Sequence, residues 1–108
     1  MNANEGARLA GTGAEFRIKC RYFKRVEKNT LRGFVSLTVA PSGITINNVC
    51  LHQKAGRRWL SFPAKSYQDK DGKQQWWPIV EIEDREVLRR FQAAGLAAID
   101  RYVQQGGG

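Results

Sequence analysis

The chain has few of the residues that build catalytic or metal sites. Among its 108 residues there are two cysteines, Cys20 and Cys50, and one histidine, His52. These three side chains cannot complete a tetrahedral zinc site within one chain, and Cys50 and His52 lack zinc-ligand spacing. Both cysteines fall within apolar strand patterns, so we expect small core residues rather than a disulfide.

Motifs of enzymes are also missing. The glycines form neither a GxGxxG nor a P-loop pattern, and no serine or cysteine lies in a nucleophile motif. Four carboxylates cluster at Glu81, Glu83, Asp84 and Glu86. Since this is a predicted strand-to-helix junction, helix capping explains them better than a catalytic pair. The sequence therefore predicts a protein that is not an enzyme and has no cofactor or metal.

Long apolar runs are absent as well. No run approaches the about 18 residues that a membrane-spanning helix needs, and the N-terminus lacks the apolar segment of a signal peptide. We therefore expect a cytoplasmic protein with no membrane partner. A hydrophobic content of 42% and a charged content of 26% are typical of one soluble domain. We place that domain at residues 15–103, between flexible tails at 1–14 and 104–108.

Acidic residues are scarce in the first part of the chain. Residues 1–65 hold 12 Lys and Arg against 3 Asp and Glu, whereas residues 66–108 hold 6 against 7. The net charge of +8 is therefore concentrated upstream. Such asymmetry favours a polyanionic partner, most often nucleic acid, over a basic surface that only maintains solubility.

Apolar alternation predicts five antiparallel strands. The first begins at Glu15, with one face formed by Phe16, Ile18, Cys20 and Tyr22. The second covers 31–39, the third 44–52, the fourth 59–62 and the fifth 75–82, with a long loop at 64–73. In the third strand the alternation shifts after Ile46, which predicts a β-bulge near Asn47-Asn48.

The end of the chain changes to helical periodicity. Asp84 is the predicted N-cap, with Glu86 in the first turn. Apolar residues then recur on one face: Val87, Leu88, Phe91, Ala94, Gly95, Ala98, Ile99, Tyr102 and Val103. The fold class is therefore α+β, a curved sheet of about five strands followed by one C-terminal amphipathic helix. One helix cannot cover both faces of a sheet, so the other face meets solvent, a second subunit or a ligand.

The opposite face of the first strand is cationic. Arg17, Lys19 and Arg21 alternate at about 6.6–7 Å, close to the phosphate spacing of an extended single strand. Phe23 and Phe34 are expected on the same side, where an aromatic ring can stack on a base. The alternative is that this face covers the helix or a partner, with the cationic stems packed. The predicted nucleic-acid contacts are Arg17, Lys19, Arg21, Lys24, Arg25, Arg32, Lys54, Arg57, Arg58 and Lys65, with Phe34 and Trp76 as stacking residues.

The segment Trp59–Ile79 predicts a hairpin, because Asp71-Gly72 lies between two apolar, aromatic runs. Trp76 and Trp77 are consecutive and must point to opposite faces of a strand, so we expect one in the core and one outside.

This segment also resembles the stage V sporulation protein G (SpoVG) family. Trp59-Leu-Ser-Phe-Pro-Ala-Lys65 is similar to the family's aromatic-x-x-Met-Pro-Ser-Lys signature. Asp71-Gly72 followed by Pro78-Ile79 resembles its D-G…h-P-I spacing, and the likeness extends from about Leu31 to Tyr102. Family members are small bacterial proteins with a sheet and a C-terminal helix, which form dimers and bind nucleic acid with regulatory effect. The resemblance implies the same here, although this helix ends in Gln104-Gln-Gly rather than in a basic segment.

A fold-level similarity to the positive-cofactor-4-like single-strand DNA binders points the same way, but a fold alone does not establish function. We therefore expect a homodimer that binds single-stranded DNA or RNA with weak sequence preference. The alternative function is a dimeric protein–protein adaptor whose basic face binds an acidic partner.

Overall fold

The computed structural model describes residues 17–106, so the predicted tail at 1–14 lies outside the described residues. Six strands and one helix follow in order: β1 Arg17–Lys28, β2 Leu31–Ala40, β3 Ile44–Lys54, β4 Arg57–Ser61, β5 Ala64–Gln68, β6 Gln74–Pro78 and α1 Arg85–Gln104. The first four strands form an antiparallel sheet in sequential order, and β5 pairs with β6 in a separate hairpin. The α+β class is confirmed, with six strands in two sheets instead of five in one.

The core lies between one face of the four-stranded sheet and helix α1. Leu37, Val35 and Val49 are almost fully buried on the sheet, and Ile99 is equally buried on the helix. We call this covered side of the sheet the helix face and the opposite side the outer face. Burial of these apolar side chains is the main stabilising contribution, at about 25 cal/mol per Å² of apolar surface.

Helix α1 begins where the sequence predicts. The Asp84 side chain accepts a hydrogen bond from the backbone nitrogen of Val87 at 3.0 Å, as an N-cap does. Phe91, Gly95, Ala98 and Ile99 are buried, which confirms the predicted apolar face. Its two ends are more open than predicted, since Val87 at one end and Val103 at the other are exposed.

Gln92 ties the helix to strand β4. Its side-chain amide accepts a hydrogen bond from the Leu60 nitrogen and donates one to the Leu60 carbonyl, both at 2.8 Å. Because β4 is the last strand of its sheet, its outer edge lacks a pairing strand, and Gln92 replaces one at this residue. Each such bond contributes about 1 kcal/mol.

Two bulges set which side chains point outward. The pairing of β2 with β3 shifts between Val35 and Leu37, and Asn48 opposite has a φ of 61°, so the bulge predicted near Asn47-Asn48 is confirmed. A second shift lies in β1 between Cys20 and Tyr22. The sequence did not predict it, and it reverses the assignment of two aromatics: Tyr22 is 52% exposed and Phe23 only 6%. The predictions that Tyr22 shares the face of Ile18 and Cys20 and that Phe23 lies on the cationic side were therefore wrong.

The hairpin of β5 and β6, which we call the arm, has every residue exposed in both strands. Residues 64–68 belong to a strand, so the predicted long loop at 64–73 is wrong in its first half. The arm's turn is ordered by Asp69, whose carboxylate accepts hydrogen bonds from the backbone nitrogens of Asp71 and Lys73 and from the Gln75 side chain. These bonds lower the pKa of Asp69 below its ordinary value, the Lys73 bond having the largest effect.

The two consecutive tryptophans of the arm are both at the surface. Trp76 is 64% exposed and Trp77 66%, so the expectation that one of them is a core residue was wrong. Tryptophan has a large apolar side chain, so the arm exposes a large apolar area at this point.

Candidate nucleic-acid interface

The four-stranded sheet is strongly cationic. Between Arg17 and Ser61 there are ten Lys and Arg residues, and Glu27 is the single carboxylate. The register divides the cations between the two faces and the ends of the sheet. Cross-strand partners locate most of the predicted contacts, whereas Arg21 and Arg32 lie at register shifts.

The outer face has cations along edge strand β1. Lys19 lies opposite Thr38 and Lys24 opposite Phe34, both pointing away from the buried neighbours Ile18 and Phe23. Arg17 alternates in the same sense at the start of the strand, and Arg17 and Lys19 each also line a small cavity against helix α1. Arg21 lies at the bulge and is exposed, so the predicted regular spacing of Arg17, Lys19 and Arg21 is interrupted before its third member.

The centre of the outer face is flat and polar. The Ser36 hydroxyl donates to Asn47 Oδ1 at 2.7 Å, and the hydroxyls of Thr38 and Thr45 lie 2.7 Å apart. These short side chains satisfy one another, so they leave a low surface beside the cations of β1. A backbone of extended nucleic acid can lie on such a surface without displacing bulky groups.

At the far side of the sheet, Lys54 and Arg57 form the last pair of the β3–β4 hairpin. Both are exposed, and the alternation with Trp59 and His52 places them on the outer face. Lys65 is exposed at the base of the arm, opposite Trp77. Lys54 and Arg57 therefore border the outer face on the side away from β1, whereas Lys65 lies on the same side of the arm as Trp77.

Three predicted contacts lie elsewhere. Arg25, Arg32 and Arg58 line one cavity near the end of α1, together with Phe23 and Asp100, on the helix face. The Arg25 guanidinium carbon lies 5.6 Å from the centre of the Phe23 ring, a cation–π contact. This cavity lies on the helix face, whereas Lys24 lies beside Phe34 on the outer face, so the predicted cations do not form one continuous surface.

Arg58 is already paired with a carboxylate. Its two terminal nitrogens contact the two Asp100 oxygens at 2.9 and 3.0 Å. The side-chain hydrogen bond to Asp100 raises the pKa of Arg58, and the reciprocal bond lowers the pKa of Asp100. Because its guanidinium is engaged in this fork, Arg58 is a poorer phosphate ligand than the unpaired cations of β1.

Arg32 is also partly engaged, since it donates to the backbone carbonyls of Asn29 and Leu31 at 2.8 and 3.2 Å. Its role at this end of the sheet is to hold the β1–β2 turn, where Asn29 has a φ of 56°. Asparagine tolerates this left-handed conformation better than most residues.

The predicted aromatic contacts meet at one place. Phe34 on the outer face and Trp76 on the arm line the same cleft, which has a volume of about 660 Å³. We call it the arm cleft. Its polar lining comes from Asn48, His52 and Ser61, and Cys50 also contributes to it. The volume is within the about 300–1,000 Å³ typical of small-ligand sites.

This cleft has no direct signature in the sequence, because its residues come from five different strands. Tyr22 was also missed as an outward aromatic, since strict alternation assigned it to the face of Ile18 and Cys20. The one available signal was the pair Tyr22-Phe23: two consecutive large aromatics cannot both face inward on a regular strand.

No protein-family model, no curated protein and no solved structure matches this chain. The similarity to the SpoVG family therefore stays a prediction based on the residues quoted above. Within residues 17–106, no group of three or more His, Cys, Asp or Glu side chains is placed to hold a metal ion. In the same part of the chain, no helix is long and apolar enough to cross a membrane.

Proposed function

We propose that this protein binds single-stranded nucleic acid on the outer face of its sheet. The observation that carries the proposal is the charge on and beside this face, which helix α1 leaves uncovered. Six of the ten cations between Arg17 and Ser61 lie there: Arg17, Lys19, Arg21, Lys24, Lys54 and Arg57. An uncovered, cationic sheet face attracts phosphates and releases their counterions.

Single strands are favoured over duplexes because aromatic side chains accompany the cations. Tyr22 is 52% exposed on the outer face, and Trp76 is 64% exposed on the arm. Bases of a single strand are free to stack on such rings, whereas those of a duplex are stacked on each other. The cations contact phosphates and not base edges, so sequence preference is weak. The proposal retains the cytoplasmic location and regulatory role expected from the sequence.

A titration of labelled single strands, DNA and RNA, at about 50 and 200 mM salt tests the proposal. For about four phosphate contacts, affinity is expected to fall by about 50-fold between the two concentrations, because the slope is about −0.7 per contact. A duplex of the same sequence is the matched competitor. Absence of binding at the lower salt concentration would leave the acidic protein partner as the better explanation of the charge.

We also propose that the protein associates with a second copy through an apolar groove that adjoins the arm cleft at Pro63 and Ile79. This groove of about 510 Å³ runs between strand β3 and the segment after the arm, with Ile44, Ile46, Ile79 and Ile82 in its lining. Ile44 is 60% and Ile79 64% exposed. Glu81 lines the same groove, so its charge disfavours a polyanion and favours a protein.

The substitution Ile44→Asp is expected to convert a dimer into a monomer, because it places a charge in the apolar interface. Sedimentation equilibrium of the free protein measures this, and Ala93→Asp on the exposed side of α1 is the control. A wild-type protein that remains monomeric at high micromolar concentration would disprove the self-association without affecting the nucleic-acid proposal.

A further inference from the structure

We propose that the arm cleft receives one unstacked base of the bound single strand, between Phe34 of the sheet and Trp76 of the arm. The inference rests on the proposed function and adds a specific ligand group to it. Phosphate contacts alone would hold any polyanion, whereas a base in this cleft requires a nucleic acid with free bases.

The walls of the cleft provide aromatic surface. Phe34 is half-buried in β2, held by its neighbours on the sheet, while Trp76 is 64% exposed on β6. Trp76 thus has a large unsatisfied apolar area directed at a cavity instead of at the core. Trp77 is equally exposed but alternates to the other side of the arm and is absent from the lining of the cleft. The two tryptophans therefore differ in position and not in exposure.

The floor of the cleft is fixed by hydrogen bonds. The Nδ1 atom of His52 lies 2.9 Å from the Thr30 hydroxyl, and its Nε2 atom lies 3.0 Å from the Ser61 hydroxyl. The imidazole also stacks on Trp59, with ring centres 5.4 Å apart and planes at 11°. Both ring nitrogens are therefore occupied, and His52 supports the cleft instead of binding phosphate.

The side-chain carboxamide of Asn48 is a polar group of the cleft that is free to bind a ligand. It lines the cleft at the bulge of β3, and its side chain has no hydrogen-bond partner among residues 17–106. A carboxamide carries a donor and an acceptor side by side, which matches the paired groups on the edge of a base. A bulge that redirects a side chain into a site is a common use of this irregularity.

Charge favours nucleic acid over a second copy of the chain as the occupant. Lys24 lies directly opposite Phe34 on the outer face, so a cation borders this wall of the cleft. No carboxylate lies among the described residues that line it. A second copy carries a net charge of +8 and is repelled from a cationic rim, whereas a phosphate next to the bound base is attracted.

The test compares a normal single strand with an abasic strand of the same length and charge. Wild-type protein is expected to bind the normal strand about 10-fold more tightly, because stacking of one base contributes about 1–3 kcal/mol. Trp76→Leu and Phe34→Leu are expected to reduce this preference by at least about 3-fold, to the part that stacking on Tyr22 contributes, while retaining binding to the abasic strand. Trp77→Leu, the control, keeps the preference.

A second measurement does not depend on affinity. In the variant Trp59→Phe/Trp77→Phe, Trp76 is the sole tryptophan, and its fluorescence is expected to be quenched by the normal strand but not by the abasic strand.

Equal affinity of wild-type protein for the two strands, or equal loss of preference in Trp77→Leu, would overturn the assignment of the cleft. Failure to bind either strand would instead overturn the proposed function. A change of oligomeric state in Trp76→Leu, with no base preference in the wild type, would show that a second copy fills the cleft.

Discussion

Replacing Lys19, Arg21 and Lys24 together by alanine is expected to weaken single-strand binding about 100-fold at about 0.1 M salt. All three are exposed on edge strand β1, and none of them has a carboxylate partner within the described residues. Each phosphate contact on a single strand contributes about 0.7 to the slope of log affinity against log salt, so the triple variant should lose about 2 from that slope. Fluorescence anisotropy at four salt concentrations measures both quantities.

The matched control removes three cations from the other side of the molecule. Arg85, Arg89 and Arg90 lie on helix α1, and replacing them by alanine changes the net charge by the same amount. Arg89 and Arg90 both contact Glu86, whose pKa these bonds lower, so they are already partly neutralised. If the control variant loses as much affinity as the β1 variant, binding follows net charge and the outer face is not the site.

The parts of the fold that sequence reasoning predicted are those with a strong local cause. Asp84 was identifiable as the N-cap because a short acidic side chain precedes a clear helical pattern. The bulge at Asn47-Asn48 was identifiable because the apolar alternation shifts there and asparagine tolerates a positive φ. Asp71-Gly72 identified the turn of the arm because glycine readily adopts a positive φ, and Gly72 has a φ of 78°.

The bulge in β1 had no such local cause. The run from Arg17 to Tyr22 alternates without a break, and no glycine or asparagine marks the extra residue at Arg21. Tertiary packing decides the position of this bulge. On the helix face, the Phe23 side chain and not that of Tyr22 packs against Gly33. A pattern that counts single residues does not contain this information.

The candidate site was predicted in composition but not in arrangement. Lys19 and Lys24 alternate with buried neighbours on β1, and Phe34 and Trp76 line one cleft that the sequence did not predict. Arg58, however, pairs with Asp100, 42 residues later in the chain, and local sequence gives no sign of that partner. Which cations stay free for a ligand is therefore a property of the folded chain.

Gly33→Ala is expected to destabilise the fold by about 3 kcal/mol, at the upper end of what overpacking of a core costs. A β-carbon at this position would overlap the Phe23 ring and lie 2.8 Å from the backbone carbonyl of Lys24. Phe23 is 6% exposed and the carbonyl belongs to a paired strand, so neither can move freely. Urea denaturation followed by circular dichroism measures the change, which corresponds to a fall in Tm of about 12–24 °C.

Gly95→Ala provides the control, because both glycines are buried but meet different neighbours. A β-carbon at Gly95 would lie 2.6 Å from Leu60 Cδ1 and 3.4 Å from Leu37 Cδ1, which are tips of flexible side chains. Alanine is also favoured over glycine inside a helix by about 1 kcal/mol, which offsets part of the crowding. We therefore expect Gly95→Ala to cost less than about 1 kcal/mol.

Adding Phe23→Leu to Gly33→Ala should give a smaller loss of stability than the sum of the two single variants, because the ring that clashes is then absent. If the two losses simply add, the crowding between Gly33 and Phe23 does not govern this part of the sheet.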